Sequence, residues 1–170
     1  MTAIIDKHSA TTRPSADSRF TDGSRSDAGA GLIDKASLLA YPLMRVTTGL
    51  LLMPHGAQKL FGLFGGYGLT GTGMYFGDTL GLQPGYLFAL LAGLVEFVGG
   101  LALVLGLLTR PAAAAVAVLM AVAISVHLPN GFFWTNGGYE YPLMWLVFAI
   151  ALVLGGGREY SLDQRFGWRI

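Results

Sequence analysis

The sequence contains no cysteine. That excludes a disulfide framework, a thiolate nucleophile, a CxxC redox pair and any cysteine-ligated zinc or iron–sulfur centre. Charge is also scarce, at 12% of 170 residues. Between Ala36 and Gly157 the formal charges are Arg45, Lys59, Asp78, Glu96, Arg110 and Glu140. With a net charge of +1 and no run of Lys or Arg, the chain lacks the electrostatic footprint of a nucleic-acid binder. Its histidines are His8, in a polar N-terminal stretch, His55 and His127, too few to expect a haem or metal site. The opening thirty residues hold no apolar core of a secretory signal.

What is present is apolar. Hydrophobic residues make up 53% and the mean hydropathy is +0.55, the profile of an integral membrane protein rather than of a soluble domain. Four apolar segments, at about 38–60, 86–107, 112–128 and 142–154, approach the roughly twenty residues a helix needs to cross a bilayer. The last two are short. The expected fold is all-α, a polytopic membrane four-helix bundle over 36–157. Residues 1–35, rich in Ser, Asp, Arg and Gly, read as a flexible cytosolic tail, and 158–170 as a C-terminal cytosolic tail.

Lys7, Arg13, Arg19, Arg25 and Lys35 precede the first span, Arg110 separates spans two and three, and Arg158, Arg165 and Arg169 follow the fourth. In a four-span chain these fall on one side, so the multi-pass orientation expected in the cytoplasmic membrane puts both termini in the cytoplasm. The two outer connections carry Asp78 and Glu140 but no Lys or Arg. The first, glycine-rich, is expected to hold a short interfacial or re-entrant helix around 73–82. Aromatic residues of both connections, Tyr75, Phe76, Trp134 and Tyr141 among them, form an interfacial belt or, alternatively, a stacking wall for a flat ligand.

An ionisable group at bilayer depth normally faces the bundle interior and a partner. Glu96 lies about ten residues into the second span, on the same face as Ala89, Gly93 and Gly100, small residues that let helices approach closely. His55 and Lys59, four apart, share a face of the first helix, with Arg45 about forty degrees away on the helical wheel. The expected cluster is therefore His55, Lys59, Glu96 and His127 with Glu140, open to the outer side. Arg45 is a further partner for Glu96, and Trp134 part of the ligand wall. His55 and Glu96 are the catalytic candidates. The plain alternatives are a buried ion pair that only fixes helix register, and for His127 a bond to loop backbone.

The order Arg45-x-x-x-Gly49, Pro54-His55-Gly56-x-x-Lys59, Glu96-x-x-Gly99-Gly100, Gly106-Leu107-x-Thr109-Arg110, His127 with Asn130-Gly131-Phe132, Glu140-Tyr141 and Ser161-Leu162-Asp163 resembles the DoxX family of membrane proteins. The resemblance implies a four-helix protein of the cytoplasmic membrane. Some members of that family are similar to subunits of thiosulfate:quinone oxidoreductases, and others are linked to membrane-associated complexes with soluble thiol enzymes. It implies no agreed catalytic residues. Three functions compete: a quinone-linked oxidoreductase subunit with its electrons supplied by a soluble or membrane redox partner, a scaffold that recruits a soluble redox enzyme through its tails, and a small transporter, which four short spans would support only as a homo-oligomer.

Overall fold

A computed structural model describes residues 24–168. The chain divides into two compact units, Met1–Asp34 and Lys35–Ile170, and the bundle belongs to the second. Up to position 23 the expected tail lies outside the described residues, and from Ser24 the backbone is helical. A helix already nucleated gains one hydrogen bond per added residue, so it can extend beyond its apolar stretch.

Helix α1 (Ser24–Phe61) continues through Pro42 and Pro54. After a short 3-10 turn comes α2 (Gly68–Met74), prolonged by a π turn over Tyr75–Thr79. Helix α3 (Gly85–Leu105) carries a second π turn at Val95–Gly99, centred on the segment that holds Glu96. Helices α4 (Thr109–His127), α5 (Glu140–Gly155) and the short α6 (Leu162–Phe166) complete the chain. The fold is an all-α membrane bundle. Three helical stretches, Ala36–Phe61, Gly85–Leu105 and Thr109–Asn130, are long and apolar enough to span a bilayer. The fourth, α5, has 16 residues and reaches about 24 Å, short of a hydrocarbon core of about 30 Å.

Two differences from the sequence reading have physical causes. The loop helix starts at Gly68 rather than near Gly73, because its glycines let it lie against the start of α3: a Cβ on Gly73 would stand 3.0 Å from the Tyr86 Cα. The segment expected as a C-terminal cytosolic tail, 158–170, is folded onto the bundle through residue 168, held by buried polar contacts described below.

The core lies between α1, α3, α4 and α5, with Leu52, Leu103, Val116, Ala149 and Leu152 fully enclosed. Helices α1 and α3 approach at glycines, Gly49 against Gly100 and Gly56 against Gly93 and Phe97. At Gly56 a Cβ would lie 2.5 Å from the backbone nitrogen of Phe97 and 2.8 Å from the Gly93 carbonyl. Gly56→Val should therefore force the two helices apart, lowering stability by about 1–3 kcal/mol. A thermal unfolding midpoint in detergent equal to that of wild type would contradict this contact.

Candidate functional site

The loops 62–84 and 128–139 gather at one end of the bundle, here the upper end. The α3–α4 turn and the C-terminal segment form the lower end. Beneath the upper loops lies a cavity of about 670 Å³, walled by α1, α3, α4 and α5 and roofed by the π turn after α2. His55, Lys59, Glu96 and His127 all line it.

The close approach of α1 and α3 brings Lys59 to Glu96. Lys59 Nζ donates to both carboxylate oxygens, at 2.8 Å to Oε1 and 2.7 Å to Oε2. Glu96 is buried while Lys59 keeps 23% of its side chain exposed. His55, one turn before Lys59, is exposed on the same wall. His127, the last residue of α4, bonds through Nδ1 to the Gly137 carbonyl at 2.7 Å. A carbonyl only accepts, so Nδ1 carries the hydrogen and Nε2 is the acceptor of the neutral ring. The loop bond expected for an interfacial histidine and a place on the cavity wall thus belong to the same residue.

The remaining walls are apolar and aromatic: Leu51, Leu52, Ala92, Leu119, Met120, Met144 and Trp145, with Tyr75, Phe76 and Tyr141 above. Trp145 escaped the sequence reading because it sits in an uninterrupted apolar run that marks no face. Trp134 does not line the cavity. Its ring lies 5.6 Å from that of Tyr141, and its backbone N–H donates to Glu140 Oε2 at 3.1 Å. Glu140 is therefore engaged in tying the second loop to the start of α5, outside the cavity lining.

Arg45 is not at this site. Fourteen residues before Lys59, it is about 21 Å away along the helix axis, a separation that a helical wheel hides. It is buried at the lower end, where its guanidinium donates to the Gly157 carbonyl and, at 2.9 Å, to that of Tyr160. Beside it Asp163, also buried, accepts from the backbone N–H groups of Leu108 (2.7 Å) and Thr109 (2.8 Å) and so caps α4. Its own N–H donates to the Gly106 carbonyl at 2.9 Å. The Ser161-Leu162-Asp163 element is thus the lower clasp of the bundle. Ser161 caps α6 by accepting from the Gln164 N–H at 3.1 Å, and the spacing Ser161-x-x-Gln164 is a capping-box signal readable in the sequence.

Among the described residues no three His, Cys, Asp or Glu side chains come together as a metal site.

The DoxX family pattern matches residues 40–129, a stretch that contains Lys59, Glu96 and His127. The chain belongs to the DoxX family. A relative in Bacillus subtilis (strain 168) named "Putative oxidoreductase CatD" is 33% identical over 132 residues, covering 77% of this chain and 90% of that protein. An uncharacterized protein of Haemophilus influenzae is 30% identical over 131 residues, 72% of this chain and 87% of that protein. No solved structure matches. The family stretch includes the cavity's α1, α3 and α4 walls, while Trp145 and the Asp163 clasp lie beyond it.

Proposed function

We propose that this DoxX-family protein is a quinone-linked oxidoreductase subunit of the cytoplasmic membrane, with the upper cavity as its quinone site. The observation that carries this reading is an apolar, aromatic-lined cavity of about 670 Å³ with the Lys59–Glu96 pair, His55 and His127 on its wall. Ligand sites of this kind are mostly apolar with a few placed polar groups, and fall between about 300 and 1,000 Å³. The name of the Bacillus subtilis relative points the same way.

Reducing a quinone to a quinol takes two electrons and two protons. Without cysteine the chain has no thiol couple to offer, so a soluble or membrane redox partner supplies the electrons. The protons fall to this chain. Lys59 and His55 are the groups placed to donate toward a ring oxygen and to be reprotonated from water, and the Glu96 carboxylate, accepting from Lys59 Nζ through both oxygens, holds the ammonium in place. His127, fixed by Gly137, offers Nε2 to a quinol hydroxyl. The lower end, with Arg110, Arg158 and Arg165, is taken as cytoplasmic by the positive-inside rule. This multi-pass orientation puts both termini inside and opens the cavity toward the outer face.

Mass analysis of small molecules extracted from protein purified in mild detergent tests the site. Wild type is expected to carry a quinone that Glu96→Gln and His55→Ala lose, with affinity falling about tenfold or more for the loss of a charged hydrogen-bonding group. If a water-soluble short-chain quinone also fails to bind the emptied wild type, the reading is wrong.

A further inference from the structure

The upper cavity is open at its side as well as roofed above. Helix α1 turns two flanks to its neighbours. Gly49 and Gly56 meet α3 on one of them. Leu51, nearly opposite Gly49 on the helical wheel, lies on the other, the flank toward α5.

Low in the bundle this α1–α5 seam is shut. Gly155 leaves no space for a Cβ, which would stand 2.6 Å from the Tyr41 Cζ. The Tyr41 hydroxyl donates to the Gly156 carbonyl at 2.8 Å, and Thr48 above it is buried. Met144 precedes Gly155 by eleven residues, three turns up on the same face, and Leu51 follows Tyr41 by ten, so both stand about 15 Å above the closed end. Both line the cavity, yet Leu51 is 50% and Met144 39% exposed. The seam sealed at Tyr41 is therefore parted at the level of the cavity.

That parting is deep and apolar. Leu51 lies ten residues below the top of the span Ala36–Phe61, about 15 Å, or half of a hydrocarbon core of about 30 Å. The polar wall stands higher, with Lys59 about 12 Å above Leu51 along the helix. A polar end above and an apolar side exit below match an amphiphile with a polar ring and a long hydrocarbon tail.

We propose that the opening between Leu51 and Met144 is a lateral portal that holds the isoprenoid tail of the substrate, whose ring lies above it at Lys59. The substrate class is then a membrane-borne prenylated quinone that loads from the lipid. This rests on the quinone reading of the cavity.

The test titrates the full-length protein in mild detergent with a benzoquinone lacking a side chain and with the same ring carrying two isoprene units, read by native mass spectrometry. Leu51→Phe with Met144→Phe fills the opening and should weaken the two-isoprene quinone about tenfold, while the bare ring changes by less than about twofold. Val147→Phe, exposed on α5 and outside the cavity lining, should alter neither. All variants share one detergent, so partition of the tail into micelles cancels. Undiminished binding of the two-isoprene quinone by the filled variant, with the ring still bound, overturns the portal alone. Equal losses of both quinones also overturn it, since the substitutions would then act on the ring site. A wild-type dimer that the filled variant loses would mean that a second copy covers the seam, and overturns it too. If wild type binds neither quinone, the quinone reading fails and the portal falls with it. Should the filled variant not fold, Leu51→Ala with Met144→Ala decides: it should weaken the two-isoprene quinone about fivefold through lost apolar contact and spare the bare ring, and unchanged binding of both overturns the proposal.

Discussion

Lys59→Met is expected to lower the stability of the folded protein by about 3 kcal/mol, because breaking a buried ion pair from one side leaves an uncompensated charge worth about 3–5 kcal/mol. The low end of that range applies, since Lys59 retains 23% exposure whereas Glu96 is buried. The double substitution Lys59→Met with Glu96→Leu should recover most of the loss, as replacing a whole buried pair by apolar groups is often neutral. Denaturant titration in mixed micelles measures both. Additive losses in the double variant would show that the two side chains do not act as a pair. The same double variant separates two effects that Glu96→Gln mixes: it should regain stability yet remain without quinone.

The second large effect lies at the other end. Asp163→Ala removes a charged acceptor from the backbone amides of Leu108 and Thr109, and hydrogen bonds to charged groups contribute about 1.5–3 kcal/mol each. A loss of about 3 kcal/mol or more follows, concentrated in the C-terminal segment. Its signature is faster trypsin cleavage after Arg158 and Arg165. Arg45→Met should produce the same cleavage pattern by releasing the Gly157 and Tyr160 carbonyls. Wild-type cleavage rates in both variants would mean that the clasp does not hold the segment.

Much of the upper site was legible because cost made it so. A carboxylate in mid-span needs a cation, and a glycine stripe beside it needs a helix at close range, so spacing matched Glu96 to the basic face of α1, with Lys59, His55 and Arg45 as its candidate partners. Arg45 shows the limit of that logic. Angular position on a wheel is periodic, whereas reach is not, and the residue serves the opposite end of its helix. Trp145 was invisible for another reason, since an apolar run around the whole of α5 carries no phase. Asp163 stood among the residues that carried the resemblance, although beyond the matched stretch 40–129, yet its role depends on a contact across 55 residues to the α4 amides, which no local pattern encodes. The π turn at Val95–Gly99 was likewise unreadable, because the residues that form it are ordinary helix formers and glycine.

The sequence contains three tryptophans, and they are distributed one to each region of interest. Trp145 lines the upper cavity, Trp168 closes the C-terminal clasp with its backbone N–H on the Asp163 carbonyl, and Trp134 lies in the second loop beside the Tyr141 ring. The protein therefore comes with built-in optical reporters. In single-tryptophan versions of one chain, quenching by a quinone at Trp145 and the release of the clasp at Trp168 would be read at separate positions, without any attached dye.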